Sequence, residues 1–219
     1  MVLCLVVIAY LPVTRASGNQ KFWQGLRLLL VNRQWVMFLL IVFLGGMTLS
    51  IISNFLFLYL NDMNASETLM GLTLAVATIS EFPVLFYSDQ LLRRWRASGL
   101  LVFALLIMMV RCLAYSFVNT PGMVLLIQLM HGMSFSAMWV AGVSYANEIA
   151  PKGTGATAQG IFSGVQFGLA GVVAGLVGGF LYENIGAELM YRWVGIFGLI
   201  VAIPLFFMRY RLDRGSTYL

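Results

Sequence analysis

Apolar runs of about twenty residues or more alternate with short polar breaks along most of the chain, and six of them are long enough to cross a bilayer as helices. They lie near 35–60, 69–92, 97–117, 121–147, 155–182 and 186–208. An earlier apolar run, Val2 to Val13, is too short to span. It has no basic segment before it and no small-residue cleavage site, so it reads as the remnant of a preceding transmembrane helix rather than a signal peptide. The pattern divides the chain into that remnant at 1–13, a polar linker at 14–34, a six-helix bundle at 35–208 and a basic tail at 209–219. Within the linker, Phe22, Leu26, Leu29 and Leu30 form an amphipathic piece suited to lying on a leaflet.

Composition agrees with a membrane location. Of 219 residues, 61% are hydrophobic and only 10% charged, whereas soluble domains carry about a quarter charged residues. The net charge of +5 does not mark a nucleic-acid binder, because the basic residues are not gathered on one polar module. They are sorted by loop instead. Eleven of the 13 Lys and Arg residues fall in the linker, at Arg93, Arg94 and Arg96, at Lys152, and in the tail. The opposite loops carry Asp62, Glu67, Glu183 and Glu188. The positive-inside bias puts the linker and the tail in the cytoplasm, which an even number of spans allows.

Within the spans, three ionisable residues stand out: Glu81, Arg111 and His131, on three successive helices. A charge at that depth costs at least a few kcal/mol, so such residues face protein or a watery cavity and act there. Glu81 is about twelve residues from either end of its span, and the other two lie within roughly two helical turns of its depth. A carboxyl in this setting is neutral alone and ionised beside a cation, so it can take up and release a proton. Histidine, with an unperturbed pKa near 6.5, suits a second member of such a relay.

At 100° per residue, His131, Ser134, Phe135, Met138, Gly142 and Tyr145 share one face of the fourth span, with Trp139 at its margin. That mixture would line a site for a ring-bearing solute. Ordinary helix packing explains any one of the aromatics, but the charges need a reason. Pro83, two residues after Glu81, is expected to kink the second span. Gly160, Gly164 and Gly168, followed by Gly171 and Gly175, form a small-residue stripe on the fifth span that predicts close helix packing. Asp89 with Arg93 and Arg94 could latch the cytoplasmic ends of adjacent helices. Asn64-Ala65-Ser66 is a possible glycosylation acceptor.

Taken together, Glu81-Phe82-Pro83, the run from Ser88 to Arg94, Arg111, and His131-Gly132 with Phe135 and Trp139 resemble the C-terminal half of a major facilitator superfamily transporter. Ala156 to Gly160 and Gly178 to Ala187 strengthen the resemblance, which covers about residues 35–208. Within the superfamily, the chain is similar to the lactose-permease-like branch, including phenylpropionate and nucleoside permeases and the proteins related to a macrophage MHC receptor. The resemblance implies an all-α integral membrane protein, a six-transmembrane-helix bundle forming one half of a twelve-helix fold. The solute is then held between two halves. Arg111 and His131 match the permease arginine and histidine of proton coupling and sugar contact. Glu81 matches its glutamate with a displacement of about one turn, and Ser134 stands where the permease has a second acid.

The expected activity is proton-coupled symport of a small organic solute (sugar, nucleoside or aromatic acid), the N-terminal half or another copy completing the site. A non-transporting receptor or scaffold of the same fold, or an inactive truncated product, is the alternative. No phosphate-binding loop or helical zinc motif is visible, and Cys4 and Cys112 lie in apolar runs without metal-type spacing. No enzyme activity, cofactor, metal or nucleic-acid partner is therefore expected.

Overall fold

The computed structural model describes residues 29, 31–151 and 153–215, with side chains as far as residue 203. The 1–13 remnant, the linker up to residue 28 and the side chains of the basic tail lie outside the described residues. Regular structure among the described residues is helical: α1 (Arg33–Asp62), α2 (Glu67–Phe86), α3 (Ser88–Tyr115), α4 (Met123–Gln128), α5 (His131–Ile149), α6 (Gly155–Ser163), a π-helical turn (Gly164–Leu169) and α7 (Ala170–Gly215).

Polar residues at the breaks set these limits. Asn32 caps α1, its side chain accepting from the amides of Gln34 (2.9 Å) and Trp35 (3.5 Å). Ser66 caps α2 by accepting from the Leu69 amide (3.3 Å), with Glu67 in the favourable first turn. Between them the chain reverses through Asn64, exposed and left-handed at φ 56°. Pro83 lies inside α2, where it leaves the Ile79 carbonyl without its ladder donor, and the helix gives way at Tyr87.

Two long elements are broken rather than continuous. α3 turns at Arg96 (φ 57°, ψ 163°), so a short basic-end piece precedes the membrane-length piece. α7 turns at Gly186 (φ 77°, ψ 169°), where the sequence pattern separates the fifth and sixth spans. Among the described residues, five stretches are long and apolar enough to cross a membrane, the last being two such lengths joined at Gly186. The protein is thus an integral, multi-pass membrane protein with an all-α fold.

Among the described residues, the core gathers in two apolar clusters. One, toward the basic end, gathers Trp35, Phe38, Leu101, Leu105, Met108 and Phe162. The other, toward the acidic end, gathers Ile51, Leu56, Tyr59, Tyr115, Met190 and Tyr191. The 97–115 part of α3 is the most enclosed segment, while α2 and the 155–203 stretch present most of their surface outward.

The glycine stripe does not pack as expected. A Cβ built on Gly160, Gly164, Gly168 or Gly175 meets nothing within 4 Å, and on Gly171 only Ser50 Oγ at 3.8 Å. Four-residue spacing puts these glycines on one face, but that face points away from the other helices. Close backbone approach occurs elsewhere. Gly46 sits against the Gln166 carbonyl of the π turn, and Gly132 against the Ser80 carbonyl.

Candidate functional site

The site forms where the fourth span is interrupted. α4 ends at Gln128 and α5 starts at His131, with Leu129 and Met130 making tight i to i−3 contacts between them. Such a break frees backbone groups, which inside a membrane must find partners. Ser80 of α2 supplies them: its hydroxyl donates to the carbonyls of Ala77 (2.6 Å) and Gln128 (3.3 Å) and accepts from the Gly132 amide (2.9 Å). The missing side chain of Gly132 permits this, since a Cβ there would lie 1.9 Å from the Ser80 carbonyl oxygen. α2 is thereby held against the start of α5, and Glu81, the next residue, is carried to His131.

The three residues singled out in the sequence meet in one chain of contacts. Glu81 Oε1 lies 3.5 Å from His131 Nε2, and His131 Nδ1 lies 3.3 Å from Arg111 Nη2. Arg111 is fully buried. Its Nη1 donates to Ser134 Oγ (2.6 Å), and Nη2 also reaches Gln128 Oε1 (3.0 Å) and the Tyr115 hydroxyl (3.3 Å). Tyr115 in turn donates to Gln128 Oε1 (3.2 Å), and Ser136 donates to Glu81 Oε2 (3.1 Å).

Hydrogen-bond chemistry suggests one placement of the protons in this arrangement. A guanidinium only donates, so His131 Nδ1 must accept from Arg111. The imidazole proton then resides on Nε2 and points toward the Glu81 carboxylate, an assignment made from the network. Glu81 and His131 keep 23% and 17% side-chain exposure, so the outer end of the chain is open while its Arg111 end is closed.

The predicted solute face needs correcting. Ser134, Met138, Gly142 and Tyr145 are buried inside the bundle. Ser134 is taken up by Arg111, Met138 packs on Gly45, Gly142 receives the Phe162 ring, and Tyr145 tilts against Phe38 at 5.3 Å. The partly open stripe of α5 is instead His131, Phe135 and Trp139, four residues apart, with the two aromatics also resting on the apolar core. Phe135 stacks on His131 at 5.3 Å between ring centroids, and Trp139 meets the exposed Phe167 of the π turn at 5.5 Å. The open glycines Gly164 and Gly168 flank Phe167 in that turn. The wider face drawn from the sequence mixed this stripe with the packing stripe beside it.

The Asp89, Arg93 and Arg94 group lies on the basic-end piece of α3. Arg93 Nε donates to the Asp89 carbonyl (3.4 Å) within one helix, and no ion pair joins these residues among those described. Among the described residues these three make no contact of the latch kind expected of them; the one hydrogen bond stays within their own short helical piece. Sequence reasoning also missed Gln128, Tyr115, Ser136 and Ser80. Tyr115 could have been found at i+4 from Arg111, and Gln128 as an amide one turn before the histidine. A further membrane-depth arginine, Arg192 of α7, places its guanidinium 5.2 Å over the Phe117 ring.

The chain matches the family model described as the MFS_1-like family over residues 5–193. It is 27% identical over 218 residues to the zebrafish (Danio rerio) Major facilitator superfamily domain-containing protein 6-like, covering 98% of this chain and 40% of that one. It is 30% identical to the Xenopus laevis 6-like protein A, covering 85% of this chain and 32% of that one. It is also 30% identical to the maltose permease of Geobacillus stearothermophilus, covering 83% of this chain and 47% of the permease. The chain thus spans less than half the length of these relatives. No solved structure matches it. With an all-helical membrane bundle, a buried charged network and a family match over most of its length, the chain belongs to the MFS_1-like family of the major facilitator superfamily.

Proposed function

We propose that the chain is the C-terminal half of a proton-coupled symporter for a small, ring-bearing organic solute. One observation carries the reading: the Glu81–His131–Arg111 chain, open at its acid and anchored at its arginine. With Glu81 ionised, carboxylate, imidazole and guanidinium form a continuous order from Glu81 Oε1 through His131 Nε2 and Nδ1 to Arg111 Nη2. Protonating Glu81 turns an acceptor-only group into a partial donor. That weakens its hold on His131 and Ser136, the contacts that tie its side chain to α5. The proton thereby loosens the join between two helices, which is what coupling to movement requires.

The solute would lie on the open stripe, its ring against Phe135, Trp139 and Phe167 and its polar groups toward Glu81 and His131. Burial of Arg111 suits an anchor rather than a solute contact. A second six-helix half, from the N-terminal part of a longer protein or from another copy, would close the opposite wall. Sugars, nucleosides and aromatic acids all fit this description, and similarity to a maltose permease makes a disaccharide the first solute to test. The basic loops and tail face the cytoplasm in this reading.

The test is uptake into proteoliposomes holding the protein at the full length of its relatives. With an inward proton gradient, one solute of a panel spanning those three classes should accumulate above its outside concentration. A protonophore should then return it to equilibrium. Accumulation that ignores the protonophore would refute proton coupling, and no flux of any panel member would favour a receptor or scaffold.

A further inference from the structure

A cleft lies on the other side of α5 from the His131 stripe. Counting 100° per residue, Met133 and Ala137 sit 200° around the helix from His131 and Phe135, so the cavity they line is separate from the open stripe. It has a volume of about 410 Å³ and runs between the basic end of α2, the start of α3 and α5. Its walls are apolar: Pro83, Val84, Leu91, Leu100 and Phe103 complete them. Its polar groups are Tyr87, Gln90 and Arg94, all toward the basic end of α2 and α3. Arg94 makes no hydrogen bond or ion pair among the described residues, whereas Arg93 is held on the Asp89 carbonyl and Arg96 has a partner of its own. Trp95 stands at the rim, 40% exposed and edge-on to Phe103 at 4.7 Å.

We propose that this cleft binds one anionic glycerophospholipid, with an acyl chain between α2, α3 and α5 and the phosphate on Arg94. Charge complementarity selects this occupant. Three arginines and one aspartate lie within residues 89–96, at the level where a leaflet presents its headgroups. A guanidinium meets a phosphate through paired hydrogen bonds. The long apolar wall beneath it suits a hydrocarbon chain and offers nothing to a free phosphate. Trp95 sits where tryptophan anchors at the membrane interface. The turn at Arg96 (φ 57°) ends the short helical piece that carries Arg94 and Trp95, both of which line the cleft.

Tryptophan quenching by brominated lipids tests this with the full 219-residue chain in vesicles. Difference spectra against Trp95→Phe isolate Trp95 from the other four tryptophans. Dibrominated phosphatidylglycerol should quench the Trp95 signal at about fivefold lower mole fraction than dibrominated phosphatidylcholine, the factor given by about 1 kcal/mol per basic residue at an anionic leaflet. Arg94→Gln should bring the two curves together, and Arg94→Lys should keep most of the preference while reporting that the position tolerates substitution. Arg33→Gln removes the same charge from α1 and should change nothing. Equal quenching by both lipids, or an equal loss in Arg33→Gln, would overturn the site in favour of a diffuse surface field. Absence of quenching by either lipid would overturn it too, since the cleft would then be closed to acyl chains.

Discussion

Gly132 is a position of close backbone approach between α2 and α5, so its replacement tests how the site is assembled. A Cβ at Gly132 would lie 1.9 Å from the Ser80 oxygen, 2.5 Å from its carbon and 2.9 Å from the Glu81 nitrogen, all backbone atoms. Real Cβ contacts do not fall below 3.0 Å, so the two helices must separate by about 1.1 Å. No side-chain rotation relieves this. The retreat strains the Gly132 to Ser80 hydrogen bond (2.9 Å), carries Ser136 out of reach of Glu81 and stretches the 3.5 Å Glu81–His131 contact beyond hydrogen-bond reach. Overpacking of this kind costs about 1–3 kcal/mol. In denaturant titrations of the purified protein, Gly132→Ala should therefore lose about that much stability and also lose gradient-driven uptake. Gly175→Ala, where a Cβ meets nothing, should be neutral or gain up to about 1 kcal/mol from helix propensity. Gly132→Ala with unaltered stability, or Gly175→Ala equally damaged, would refute the packing on which the site rests.

Two further substitutions have worked magnitudes. Arg111→Lys replaces a fork serving Ser134, Gln128, Tyr115 and His131 with a point charge unable to reach all four, and should cost about 3 kcal/mol by the same titration. Gly186→Ala puts a side chain at φ 77°, ψ 169°, a region essentially reserved for glycine, and should cost about 1–3 kcal/mol without altering solute specificity in uptake assays.

Much of this fold was legible because the bilayer imposes one length and one polarity on every span. Glu81, Arg111 and His131 were visible for the same reason, as charges where water is absent. Of their hydrogen-bond partners, Tyr115 was within reach of the sequence at i+4 from Arg111, whereas Gln128 and Ser136 are ordinary residues until the folding of the fourth span brings them to Arg111 and Glu81. The glycines of the fifth span show the complementary limit. Spacing reveals that Gly160, Gly164 and Gly168 share a face, and says nothing of what that face meets. Likewise, a helical wheel could not separate the half-buried Phe135 and Trp139 from the fully packed Met138 and Gly142, which lie only a few tens of degrees away. Burial by Phe162 and Gly45, both distant in sequence, decides between them.

Proton coupling through Glu81 is the central claim, and the most direct measurement is solute accumulation by Glu81→Gln at full length under an imposed proton gradient. The amide keeps the shape and hydrogen-bonding length of the carboxyl but cannot take up a proton. Uphill accumulation should vanish while exchange of solute across the membrane at equal concentrations persists. Accumulation at the unmodified level would remove Glu81 from the coupling step and contradict the proposed mechanism.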